Sequence, residues 1–347
     1  MKKKLFAFGM ALCASTLFIS NVDAATINDL KNWGPGTNIE VTEENSEYTL
    51  KLTGNAVQDL VIASGEKVTI DLNGQTFTSF CEACSTITIL PNAEVTIMGE
   101  GTISRKNPNN NASTINNSGK LTIENGTIEA PSNSETSQHS AAISNENGAT
   151  LIIKDGTIKT IANGAWGISN RGTAIITNGT FIQNADFSVI ENSNKMTIIN
   201  GTFMASEDGE HNSLLTNSTE DSQLLITGGE FNTEYTLTEK SKGSITIYGG
   251  TFTETESVEN YLGEGYEYDE NGTVVEKQEQ EPEQKPEQEP VKKPENNSKN
   301  EAKPTQTSSS IKKDNEPKTG GGFSISLVAM IIVGALSGTY SFRKIKQ

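Results

Sequence analysis

Cysteine, histidine and arginine are all scarce in this chain of 347 residues, which holds three Cys, two His and three Arg. Cys13 lies in a leader, so only Cys81 and Cys84 remain for the exported chain. Two Cys with no His or further Cys beside them make a poor metal site, so no metal is expected, and no motif calls for a cofactor. In an exported chain a close C-x-x-C reads as a local disulfide or as two inert thiols, ahead of redox catalysis. Basic charge is also short: the formal net charge is −17. An acidic surface disfavours nucleic acid as a partner and favours solubility outside the cell. Arg105 and Arg171 are the only Arg between leader and tail, and neither falls in a recognisable carboxylate constellation. His139 and His211 sit in the polar loops TSQHS and GEHNS and read as solvated. No catalytic residue is therefore assigned.

What is present is a phrase that keeps returning: GKLTIENGTI at 119–128, GATLIIKDGTI at 148–158, GTAIITNGTF at 172–181, NKMTIINGTF at 194–203, QLLITGGEF at 223–231 and GSITIYGGTF at 243–252. It puts Gly126, Gly156, Gly179, Gly201, Gly229 and Gly250 in one column at steps of 21 to 30 residues. A unit of that length signals a solenoid or an array. Three residues before the glycine stand Ile123, Ile153, Ile176, Ile198, Ile226 and Ile247, and five before stand Leu121, Leu151, Ala174, Met196, Leu224 and Ile245. Side chains two apart share one strand face, so both columns are expected to be buried. Asn125, Asp155, Asn178 and Asn200 precede the glycine and are expected to take left-handed backbone at a corner. Ile128, Ile158, Phe181, Phe203, Phe231 and Phe252 then point inward on a second strand. A third strand is centred on Ile115, Ile143, Ile168, Ile190, Leu215 and Leu237. Two residues beyond the first five come Asn117, Asn145, Asn170, Asn192 and Asn217, a second polar column able to hydrogen-bond from coil to coil.

With these columns quoted, residues 57–252 resemble the right-handed parallel β-helix proteins of the pectate-lyase-like superfamily. The resemblance implies an all-β, right-handed parallel β-helix solenoid with N- and C-terminal caps. It does not choose a function, because the fold hosts polysaccharide lyases and hydrolases, tailspikes, adhesins and non-catalytic surface modules. Residues 25–80 read as an N-terminal cap and first coils, opening on a short helix in ATINDLKNWG, and 81–252 as the repeats. Residues 253–276 resemble the C-terminal caps of Gram-positive surface proteins, with a helical turn and two strands joined through Asn271-Gly272.

Both ends read as processing segments. Residues 1–24, with Lys2, Lys3 and Lys4 ahead of an apolar run, form an export signal. Residues 277–315 alternate Pro with Glu, Gln and Lys and stay disordered and extended, reaching on the order of 100 Å. In 316–347, Glu316-Pro317-Lys318-Thr319-Gly320 precedes an apolar stretch at 323–342, long enough for a transmembrane helix, and a basic tail. This order resembles the cell-wall sorting signals of Gram-positive bacteria, in which a sortase cleaves between Thr and Gly and passes the Thr carbonyl to a cell-wall amine. Pro317, Thr319 and Gly320 match that pattern, Lys318 fills its variable position, and Glu316 stands where Leu is commonest. The implied partners are a sortase and cell-wall peptidoglycan, with the membrane held by the span before sorting.

Outward positions carry what binding signal there is. Thr127, Thr157 and Thr180 run beside the inward column, either as β-propensity on a solvent-facing strand or as a glycan-contacting row. Ice binding is disfavoured, because Glu129, Lys159, Ile182 and Met204 break the second rank such a surface needs. Trp166 precedes Ile168 by two, where other coils have Ser113, Ala141, Ser188 and Ser213; it either fills an irregular core gap or stacks on a sugar. The longest insertions, at 106–114, 130–140 and 205–213, are loops on a rigid coil, where recognition tends to sit. The expected function is a wall-anchored, non-catalytic adhesin or glycan-binding protein whose partner is a polysaccharide or host surface glycan. The alternative is a wall-tethered polysaccharide lyase or glycoside hydrolase.

Overall fold

A repeated β-turn-β phrase cannot bury an apolar face alone, but coils stacked on one another share a continuous core. The computed structural model describes residues 24–278 apart from 82–83, 106–111, 131–139, 161–164, 185–186, 206–212 and 239. The expected export signal, most of the Pro-rich spacer, the sorting motif at Pro317, Lys318, Thr319 and Gly320, and the span at 323–342 lie outside the described residues. Among the described residues no helix is long and apolar enough to cross a membrane.

The chain is an all-β parallel β-solenoid of about 7 turns. Each coil gives one strand to each of three parallel ladders. The first ladder includes Lys67–Asp71, Lys120–Ile123, Thr150–Ile153 and Lys195–Ile198. The second includes Gln75–Thr78, Thr127–Glu129, Thr157–Lys159 and Thr180–Gln183. The third runs as an 8-stranded sheet from Leu60–Ile62 to Tyr235–Leu237. In the last two coils Gln223–Asn232 and Ser244–Phe252 pass through the first corner as single strands, which joins the first two ladders into one sheet.

Register puts like on like. Ile97, Ile123, Ile153, Ile176, Ile198, Ile226 and Ile247 pair in sequence along the first ladder, and all are fully buried. Each such side chain contributes about 1.5–3 kcal/mol by leaving water. In the second ladder Phe181, Phe203, Phe231 and Phe252 stack at centroid separations of 4.5, 4.7 and 4.5 Å, within 9° of parallel.

At the first corner the backbone differs from expectation. Positive φ falls on the glycines, at 95° for Gly126, 110° for Gly156, 123° for Gly179 and 134° for Gly201, and not on the Asn or Asp before them. Two of those side chains instead accept from the glycine: Gly126 N–H donates to Asn125 Oδ1 at 2.7 Å and Gly156 N–H to Asp155 Oδ1 at 2.8 Å. A Cβ on Gly156 would stand 2.7 Å from the Gly126 carbonyl oxygen of the preceding coil. Only glycine fits both the φ and the close approach.

The second corner carries the amide ladder. Asn117 Nδ2 donates to Asn145 Oδ1, Asn145 to Asn170, Asn170 to Asn192 and Asn192 to Asn217, each at 2.7 Å. The second N–H of each amide reaches backbone carbonyls, for instance Thr150 O at 3.1 Å and Thr173 O at 3.2 Å. All five Asn are at most 1 % exposed, so the ladder satisfies groups that burial would otherwise penalise. Below it the same column holds Ile89 and Ile62.

At the N-terminal end the short helix α1 (Ile27–Trp33) starts with a capping box between Thr26 and Asp29 and buries Ile27 and Leu30 on the core. A strand not foreseen from the sequence, Ile39–Glu44, pairs antiparallel with Glu47–Leu52 and occupies the edge of the first ladder. Its outward residues are polar throughout, which hid it. At the other end Val258 is fully buried, and Tyr266–Tyr268 pairs antiparallel with Val274–Glu276 across Gly272. Phe252 N–H donates to Gly272 O at 2.9 Å, so this hairpin stands against the last coil.

Candidate functional site

The insertions between coils fall on one corner. Segments 82–83, 106–111, 131–139, 161–164, 185–186 and 206–212 all lie between a second-ladder strand and the third-ladder strand that follows. The insertions singled out from the sequence, and His139 and His211 with them, fall wholly or largely in these segments and so outside the described residues. What is described is the outer face of the third ladder beside that corner.

Trp166 belongs to Ala165–Asn170 and pairs with Ala141 of the preceding coil. Of the two places open to it, beside the core or on the outside, the structure gives the second, because the alternation with Ile168 breaks between them. In this ladder two consecutive residues turn inward: Ala142 with Ile143, Val189 with Ile190, and Leu214 with Leu215 all belong to the core. The residue two before the ladder Ile therefore points out, and Trp166 is half-buried outside the core with its ring edge-on to Phe187 at 5.7 Å. The core-filling reading is corrected on that ground.

The equivalent position in the next two coils is small and hydroxylic. Ser188 Oγ lies 2.8 Å from Ser213 Oγ and 2.5 Å from Thr216 Oγ1. One coil beyond Ser213, in register with it, stands Tyr235, 56 % exposed. Beside this floor the Glu191 carboxylate accepts from Ser169 Oγ at 2.8 Å, Ser193 Oγ at 2.7 Å and Ser218 Oγ at 2.6 Å. Trp166 and Tyr235 thus stand three coils apart, about 14 Å along the axis, with hydroxyls and one carboxylate between them. Phe187, Glu191 and Tyr235 were not singled out from the sequence; only the break in the small-residue column of Ser188 and Ser213 at Trp166 signalled this face.

The threonine row lies elsewhere. Thr127, Thr157 and Thr180 pair in succession on the outer face of the second ladder, between Thr102 and Thr202. The adjacent outward row carries the Lys159–Glu129 ion pair at 2.7 Å, then Ile182 and Met204. Similar pairs, Lys120–Glu94 at 3.4 Å and Lys154–Glu124 at 2.8 Å, link neighbouring coils on exposed surface. Arg171 joins Glu146 at 3.3 Å in the same way. Exposed pairs of this kind contribute little individually. The fold does not bring the threonine row together with Trp166.

A second cluster sits on the insertion corner of an early coil. Cys81 and Cys84 are joined as a disulfide with Cα atoms 5.3 Å apart. Asp59, 1 % exposed, accepts from Phe80 N–H and Cys81 N–H at 2.9 Å each, and its carboxylate and both sulfurs lie within 4.8 Å of one another. Arg105, only 7 % exposed, donates from Nε to Cys84 O and from a terminal nitrogen to Ala112 O, both at 2.7 Å. Burial pushes the Asp59 carboxyl above the ordinary carboxylate range, partly opposed by the two N–H donors and by Arg105. Burial likewise lowers the Arg105 guanidinium, with Asp59 opposing. Arg105 is thus no isolated cation, as its place in the sequence suggested; folding sets it in the field of a buried carboxylate.

The fold and these faces define a parallel β-solenoid with side-chain clusters gathered along one insertion-bearing corner. The chain matches no protein-family model, no curated protein and no solved structure at a significant level.

Proposed function

We propose that this is a cell-surface protein of a Gram-positive bacterium that binds a glycan without cleaving it. In this reading its ectodomain is a right-handed, pectate-lyase-like β-helix, exported by the 1–24 signal. The 277–315 spacer carries it through the wall, and a sortase links it to peptidoglycan at Thr319. The observation that carries the binding half is the outer face of the third ladder: Trp166, Phe187 and Tyr235 flank a floor of Ser188, Ser213 and Thr216 beside Glu191. Aromatic rings take the C–H face of a pyranose, while hydroxyls and a carboxylate take its O–H groups. The span of about 14 Å suits a linear segment of about three sugar rings.

Full-length protein on an array of linear polysaccharides and host oligosaccharides, with a reducing-end assay on the same ligands, tests this. The expected result is retention of a glycan, no new reducing ends, and at least tenfold weaker retention for Trp166→Ala and Tyr235→Ala, about 1.4 kcal/mol or more. Retention unchanged in both variants, or no retention at all, overturns the reading. New reducing ends would establish a lyase or hydrolase instead.

A further inference from the structure

The Cys81–Cys84 bridge closes a loop of four residues, so cross-linking removes little freedom from the unfolded chain. Nor do the described ends of the loop depend on it alone for position. Phe80 N–H and Cys81 N–H are held by Asp59, Cys84 O is held by Arg105, and the neighbouring strands Leu60–Ile62 and Ile87–Ile89 pair on their own. A bridge with so little structural work stands beside a buried carboxylate within 4.8 Å of both sulfurs. Both Cys are partly exposed, and Phe80 next to them is 55 % exposed, an apolar contact for an incoming chain. Exposed disulfides are the labile and catalytic ones, whereas buried structural cysteines are inert.

From this geometry we infer that Cys81–Cys84 is a thiol–disulfide exchange site that oxidises dithiols on extended polypeptides, with Asp59 as its proton donor and acceptor and Arg105 as a positioning residue. A substrate thiolate attacks one sulfur, forming a mixed disulfide and breaking the Cys81–Cys84 bond; the released thiolate takes the proton held by Asp59. The substrate's second thiol gives its proton to the Asp59 carboxylate and attacks the mixed disulfide. The second sulfur released takes that proton from Asp59 in turn. The substrate leaves as a disulfide, oxidised by two electrons, and Cys81 and Cys84 are left as two thiols. The Asp59 carboxylate regains from solvent the proton that the substrate's first thiol lost on ionising. Burial shifts the Asp59 carboxyl upward from the usual carboxylate range, the direction that suits a group that must first donate. Arg105 fixes the far side of the loop through Cys84 O and offsets the charge Asp59 carries between the two steps.

The test uses full-length oxidised protein and a fluorogenic peptide dithiol, with oxidised glutathione as the reference disulfide, across pH 4 to 8. The expected result is exchange at least about tenfold faster than with glutathione, abolished in Cys81→Ser and Cys84→Ser. Those two variants should keep the wild-type far-UV spectrum and melting temperature. Asp59→Asn should slow exchange at least about tenfold and remove a step from its pH profile, with Asp59→Glu recovering part of both. Arg105→Gln should shift that pH step rather than abolish exchange. If Asp59→Asn fails to fold, the wild-type profile still decides: a rate ratio to glutathione that is flat across this range overturns the proposal. So does exchange no faster than glutathione, or a large fall in melting temperature in the Cys variants, which would make the bridge structural.

Discussion

Phe181 lies face to face on Phe203, one coil apart, with centroids 4.5 Å apart and planes 9° from parallel. Two further rings continue the stack, so Phe203 has a ring on both sides. Phe203→Ala should therefore open a cavity with no flexible neighbour to fill it and cost about 3–5 kcal/mol, against about 1 kcal/mol for Phe203→Leu. Equilibrium urea unfolding measures both. Equal losses would show that the volume of the cavity does not set the cost.

Asn170 accepts from Asn145 and donates to Asn192 and to Lys195 O. Asn170→Ala strands buried partners on both sides and should cost about 2 kcal/mol or more. Asn170→Asp sets an oxygen against Asn192 Oδ1, and only its protonated form can donate there. That acid's folded-state pKa is raised, so the variant's stability should be highest in acid and fall as pH rises through that pKa. A pH series of urea midpoints reads this slope, and a flat series would remove the ladder from the account.

Gly156 and Gly148 both have positive φ but differ in surroundings. At Gly156, with φ 110°, a Cβ meets the Gly126 carbonyl; at Gly148, with φ 82°, nothing lies within 4 Å. Gly148→Ala should cost about 1 kcal/mol of backbone strain, and Gly156→Ala more than about 3 kcal/mol, because two coils must separate. Comparison of thermal midpoints decides it.

Asp59 supplies a pH dependence in the wild-type chain. Burial raises its folded-state pKa above the unfolded value, so it binds its proton more tightly when folded. Its contribution is fully present below the unfolded pKa and is lost as pH rises through the folded one. Asp59→Asn should therefore narrow the difference between urea midpoints measured at pH 4 and at pH 8. An unchanged difference would place Asp59 in solvent.

The proposed sorting signal is tested by cell fractionation. Thr319→Ala should move the protein from the wall-linked to the membrane fraction, because the Thr carbonyl is the group a sortase transfers. A wall-linked fraction that stays the same excludes that route.

The stacked columns were legible because a solenoid repeats each environment once per coil: a buried Ile above a buried Ile, an Asn above an Asn. The phrase around Gly126 shows both the success and its limit. Its inward Ile123 and Ile128 and its outward Thr127 fall where the alternation puts them, but the unusual backbone sits on Gly126, while Asn125 serves as an acceptor. Trp166 stands between two readings in the sequence for a similar reason, since alternation assumes an unbroken strand and two consecutive inward residues reverse it. Asp59 and Arg105 could not be paired from the sequence at all. Neither belongs to a column, and only coiling brings them to the same loop.

The amide ladder has a direction. Every Asn from 117 to 192 donates toward the C-terminal neighbour and none the other way. Each of these coils therefore receives at that corner what it offers to the next. Duplicating or excising one of them leaves the amide ladder itself complete, whereas gaining or losing part of one breaks all three ladders together. Each added copy would lengthen the outer face by about 4.8 Å.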